Sequence, residues 1–102
     1  MTDPILRKFF LGFIQIHILY HGNCKAFYGS WMIEELKRHG YEVSAGTLYP
    51  LLHEMHRKGL LKKQEQNVGG RIRKYYSITP VGAAVLDEAR CKALELVKEL
   101  TE

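Results

Sequence analysis

Two groups of residues in this chain have the types and spacing for chemistry. The first is a set of metal-ligand types. His17 and His21 stand four apart, with Cys24 shortly after. Side chains at i and i+4 share a helical face, so two imidazoles and a thiolate at this spacing can meet on one zinc-type ion. A fourth donor must come from elsewhere, and no carboxylate lies close in sequence. The expectation is therefore partly buried interface histidines, with no metal and no cofactor. His53 and His56 are three apart further on, and His53 is better placed for nucleic acid than for a metal. Cys91, flanked by Arg90 and Lys92, could meet its own copy across a two-fold axis. A packing role is the expectation for it.

The second group is cationic. From Arg57 to Tyr76 there are seven basic residues (Arg57, Lys58, Lys62, Lys63, Arg71, Arg73, Lys74) and one acid, Glu65, a net +6. The whole chain carries +4, so the remainder carries −2. One basic segment on a faintly acidic chain is the footprint of a phosphate-backbone contact, where Lys and Arg neutralise phosphates. A solvated basic hairpin without a partner would look the same by charge alone. Enzymatic groupings do not emerge. No glycine-rich loop sits between a strand and a helix, and no paired carboxylates or Ser-His-Asp set can be placed around a cleft. The reading is that the chain is not an enzyme.

Length and composition bound the elements that must position these groups. The 102 residues are 46% apolar and 25% charged, which suits one domain with one core. Two cysteines cannot supply a disulfide framework. Arg7 and Lys8 interrupt any signal-peptide pattern, and the apolar run Phe9 to Tyr20 holds Gln15 and His17. That run is shorter than the roughly 17–25 residues of a membrane span, so a cytoplasmic chain with no membrane partner is expected.

Asp3-Pro4 reads as the start of a first helix, over 5–21, ended by Gly22. It is apolar nearly all round, which calls for cover from a partner subunit. Phe27 to Arg38 reads as a second helix, with Phe27, Trp31, Met32 and Leu36 on one face and Gly40 as its stop. Ser44 caps a third, running to Lys58 with Leu48, Leu51, Leu52 and Met55 as its buried stripe. Pro50 should leave its first turn irregular or kinked. Leu60 to Gln64 and Arg71 to Ile78 read as strands around an Asn67–Gly70 turn. Thr79-Pro80 opens the last helix, where Leu86, Ala89, Ala93, Leu96 and Leu100 repeat at alternating three and four, widened by Val85, Leu94 and Val97.

That order predicts a mainly α fold with a small β-wing. A winged helix-turn-helix domain would occupy 1–79, with its wing at about 60–78, followed by a dimerisation helix, 80–102, packing with helix 5–21. A short-linked helix pair can place its second helix in the major groove, about 12 Å wide. The hairpin can then reach the minor groove or the backbone. Two joined copies would space their recognition helices about one DNA turn apart, which suits a palindromic operator.

The motifs Tyr28-Gly29, Gly46-Thr47-Leu48-Tyr49-Pro50-Leu51-Leu52, Lys58-Gly59-Leu60-Leu61 and Gly70-Arg71-Ile72-Arg73-Lys74-Tyr75-Tyr76, with Thr79-Pro80-Val81-Gly82, resemble the PadR family of winged-helix transcriptional regulators. The resemblance spans about residues 5 to 100. It implies a homodimeric repressor of double-stranded DNA that is released by a small molecule, often phenolic or drug-like. The short length resembles the subfamily with one C-terminal dimerisation helix. By position, Ser44, Thr47, Tyr49 and Pro50 would present the recognition helix to DNA, and Arg71, Arg73 and Lys74 would be wing contacts. His53, Lys62 and Lys63 join them as DNA-binding candidates. Tyr49 suits either DNA contact or packing under the wing. Dimerisation is assigned to Phe9, Phe10 and Phe13 with Leu86, Ala89, Ala93, Leu96, Val97 and Leu100. Trp31 suits either the core or, with Phe13, a pocket for a small aromatic effector. Ser30-Trp31 departs from the aromatic-acidic pair usual in the family. The competing reading is a winged-helix module that captures a protein, for which clustered positive charge has no use.

Overall fold

The computed structural model describes residues 3–102. Asp3 Oδ1 accepts a 2.8 Å hydrogen bond from Ile5 N, and Pro4 occupies the first position of helix α1, Pro4–Cys24. Gly22, expected as the stop, lies inside α1 and is buried. A Cβ there would come within 3.3 Å of Ile78 N and 3.5 Å of Leu61 and Phe27. The glycine lets α1 press onto the sheet, and the helix ends at Lys25, whose N–H donates to the His21 carbonyl.

The second expected helix is split. Phe27–Tyr28 form strand β1, and helix α2 is Gly29–Arg38. Phe27 pairs with Tyr76 and Tyr28 with Tyr75, in both cases ring against ring, with centroids 6.0 and 5.6 Å apart. Cross-strand aromatic pairs outweigh the helical spacing that the local sequence offers. Gly40, with φ +89°, follows α2 as expected.

Helix α3, Ala45–Arg57, is capped by Ser44, whose Oγ accepts from Thr47 N at 3.3 Å. It runs unbroken through Pro50. The expected irregularity is confined to the first turn, where Thr47 N also bonds the Ser44 carbonyl. The carbonyl that Pro50 leaves unpaired belongs to the exposed Gly46.

Strands β2, Leu61–Val68, and β3, Arg71–Ile78, form the wing, and the sheet order is β1-β3-β2. The turn is two residues rather than four. Gly69 and Gly70 both have positive φ, +59° and +84°, as a tight hairpin turn requires, while Asn67 and Val68 pair with Ile72 and Arg71.

Helix α4 is Pro80–Leu100, with Thr79 as its cap. Thr79 binds the end of α3 to the start of α4. Its N–H donates to the Leu60 carbonyl at 3.1 Å, its hydroxyl donates to the Gly59 carbonyl, and its Oγ1 accepts from Gly82 N at 3.0 Å. A Cβ on Gly82 would collide with the Leu60 carbonyl oxygen. The motifs Lys58-Gly59-Leu60-Leu61 and Thr79-Pro80-Val81-Gly82 are thus two sides of one joint.

The core gathers Ile14, Ile18 and Leu19 of α1, Met32 and Leu36 of α2, and Leu48, Leu52 and Met55 of α3, closed by Phe27, Leu61 and Tyr76. Leu86, expected in an intersubunit seam, is only 4% exposed within one chain and belongs to this core. The division at 79/80 therefore does not divide the core. From Cys91 onward α4 is exposed throughout. The architecture is a winged helix-turn-helix with a long C-terminal helix.

Candidate nucleic-acid interface

α3 and the wing enclose an open cleft of about 660 Å³. Its lining brings together Tyr49 and His53 of α3, Lys63 of β2, Arg71, Arg73 and Lys74 of β3, and Tyr28 and Ser30 at the entry to α2. Tyr49 and His53 are one turn apart on the exposed side of α3. The ring of Tyr49 crosses Gly29, where a Cβ would overlap it, and the residue remains 45% exposed. Ring packing and an open edge thus coexist, so the two readings of Tyr49 are not exclusive.

Ser44, Thr47 and Pro50 stand at the N-terminal turns of α3 outside the cleft lining. The Ser44 hydroxyl is occupied as the cap and lies 3.3 Å from Thr47 Oγ1. Pro50 is exposed and Thr47 half-buried.

The wing cations divide between two faces. Residues opposite one another in register share a face. Lys63 lies opposite Tyr76, and Lys74 opposite Glu65 on that same face. Arg71, Arg73 and Lys62 alternate to the other face, and Lys62 lies outside the cleft, opposite Ser77. Arg73 is already engaged. Its guanidinium sits 4.2 Å over the Tyr28 ring, and the neighbouring Tyr75 hydroxyl raises its pKa. Arg71 and Lys74 are exposed. Arg57 donates to Glu54 at 2.6 and 2.9 Å, with Lys58 3.9 Å from the same carboxylate. Glu54 lies just upstream of the basic segment, so the count of cations overstates the free charge at the end of α3. Tyr28 and Ser30 were missed as lining residues because Tyr28 reads as helical in sequence.

The remaining candidates do not line this cleft. Phe9, Phe13, Leu96, Val97 and Leu100 are exposed apolar side chains. Ala93 is exposed, Ala89 half-buried, and Phe10 packs on Tyr41 with centroids 5.5 Å apart. Phe13, Ala89 and Ala93 line a second groove of about 320 Å³ between α1 and α4, together with Ile16, Tyr20 and Leu86. Trp31 does not line it. Its ring packs between Phe27 and His21, at 6.3 and 5.6 Å, so one chain does not assemble Phe13 and Trp31 into a single pocket. Cys24 and Cys91 are exposed free thiols. Burial lowers the pKa of His17 and His21, against the opposing pull of Glu35. Among the described residues, no helix is long and apolar enough to cross a membrane.

Residues 18–88 match the family described as transcriptional regulator PadR-like. The chain is 43% identical over 95 residues to transcriptional regulator Rv3488 of Mycobacterium tuberculosis, covering 93% of this chain and 89% of that one. A PadR family transcriptional regulator from Eggerthella lenta superposes with a TM-score of 0.83 at 29% identity, over 94% of this chain and 85% of that one. A PadR-like transcriptional regulator from Bacillus cereus superposes at 0.81 with 30% identity, over 88% and 89%.

Proposed function

Since the chain belongs to the PadR-like family of transcriptional regulators, we propose that it acts as a cytoplasmic homodimeric repressor on palindromic double-stranded DNA and is released by a small aromatic effector. The observation that carries this reading is the cleft in which exposed Tyr49 and His53 of α3 face the cations of the wing. An α-helix fits the major groove, and basic side chains on the adjoining strands reach the flanking phosphates. Arg71, Lys63 and Lys74 supply the charge, and Arg73, stacked on Tyr28, ties the wing to β1. Ser44 and Thr47 direct the helix N-terminus toward a phosphate.

The apolar side chains left open on α1 and the outer half of α4 support pairing with a second copy. The groove beside Phe13 supplies apolar walls for a flat ligand. Such an effector would release DNA only by favouring one relative placement of the two recognition helices.

The test is binding to DNA from the protein's own promoter region at two salt concentrations. The wild type should bind selectively and with a steep salt dependence. Arg71→Ala/Lys74→Ala should lose affinity and reduce the log–log slope by about 1 for each phosphate contact removed. Weak binding indifferent to salt and to the double substitution would favour the protein-capture module instead.

A further inference from the structure

Where α1 ends beside the last turn of α2, donor atoms converge from two helices. Among the described residues, His21 Nε2 is the buried side-chain polar atom left without a hydrogen bond. It faces the Glu35 carboxylate, whose Oε2 is 3.7 Å away, beyond hydrogen-bond range. His39 Nε2 lies 3.0 Å from the same oxygen. Arg38 Nε holds the other oxygen, Oε1, at 3.4 Å, so the carboxylate presents Oε2 to both rings. All three donors lie within 4.8 Å of one another.

A tetrahedral ion with bonds of about 2.0–2.2 Å spaces its ligands about 3.3–3.6 Å apart. The 3.0 and 3.7 Å separations bracket that spacing. Glu35 and His39 are one helical turn apart, so they project together, and His21 completes the triangle from the facing helix. The grouping of His17, His21 and Cys24 that the sequence spacing permits is not the one the fold assembles. Cys24 is exposed, and the carboxylate absent from the neighbouring sequence arrives from α2.

We propose that His21 Nε2, Glu35 Oε2 and His39 Nε2 form a binding site for a divalent transition-metal ion of the zinc type, with water completing its coordination. Two imidazoles and one carboxylate are a nitrogen-rich set that suits zinc and its neighbours, whereas calcium and magnesium take oxygen donors. The ion would give His21 the partner it lacks and offset the charge of Glu35. Arg38, mostly exposed, would orient the carboxylate from behind. The groove between α1 and α4 reaches both histidines and gives the ion its route in. The site would fasten the end of α1 to the end of α2, and it stands independently of the DNA-binding reading.

The experiment is calorimetric titration of the untagged, chelator-treated full chain with zinc chloride, with cobalt(II) as a spectroscopic substitute. One zinc per chain is expected, and cobalt should show visible ligand-field bands. Glu35→Gln and His39→Gln should each weaken zinc binding at least about tenfold, since even outer-shell partners account for that much. His56→Gln, on α3, should bind as the wild type does. Circular dichroism checks that each variant is folded. Zinc should also raise the thermal midpoint of the wild type and not that of His39→Gln. Equal zinc affinity in Glu35→Gln, His39→Gln and the wild type would overturn the proposal. So would a wild-type chain that takes up no zinc, or displacement of zinc by modest excess magnesium.

Discussion

Tyr49 and Gly29 explain each other. The ring occupies the space that any side chain at position 29 would need, and that contact sets the angle at which Tyr49 leaves α3 toward the cleft. Gly29→Ala should therefore cost about 1–3 kcal/mol by overpacking, read as a lower denaturation midpoint. DNA affinity should fall with it, because the ring must swing away. An unchanged midpoint would mean that the ring relocates without penalty. Both residues stand out in sequence as parts of separate motifs, but their contact does not, since it depends on how α2 crosses α3. The same holds for Arg73. Its alternation with Arg71 is plain in sequence, whereas its stacking on Tyr28 needs β1 to exist first.

At the scale of elements, legibility follows the range of the interactions. Asp3, Ser44 and Thr79 were readable as caps because each side chain bonds an N–H two or three residues away. Of the expected stripe Leu48, Leu51, Leu52 and Met55, all but the half-buried Leu51 are buried, because helical period alone selects that face. Strand β1 was not, since two residues become a strand only through partners on β3. Gly22 misled for the complementary reason: a glycine that lets an element approach looks, in sequence, like a glycine that ends one. The three-helix core carries the stability of these elements. Leu52, fully buried where α3 meets the others, should cost about 2–5 kcal/mol when changed to Ala, as measured by urea unfolding. A loss below 1 kcal/mol would show that the core closes over the gap.

The molecule as a whole has two unlike surfaces. One carries the cleft, and the other carries apolar side chains that nothing in a single chain covers, among them Val97 at 55% exposure. The sequence signalled this through the all-round apolar character of α1 and the surplus on α4, but Leu86 shows the limit of that reading. A seam written in sequence cannot say which of its rungs face the chain's own core. Val97→Glu should leave the fold intact by circular dichroism, shift sedimentation toward the monomer, and weaken operator binding, because two half-sites would no longer be held together. Dimeric sedimentation of that variant would place the interface elsewhere.

The joint at Thr79 has a mechanical consequence. α4, 21 residues long, is a rod of about 30 Å gripped near one end, where Gly59, Leu60, Thr79 and Gly82 interlock. A tilt of about 10° at that grip would carry the free end about 5 Å over such a length. The same grip holds the end of α3 and the root of the wing. In the proposed dimer, joined through the outer helices, it would act as the fulcrum of a caliper, and its stiffness would limit how far the two reading heads could change their stride along DNA.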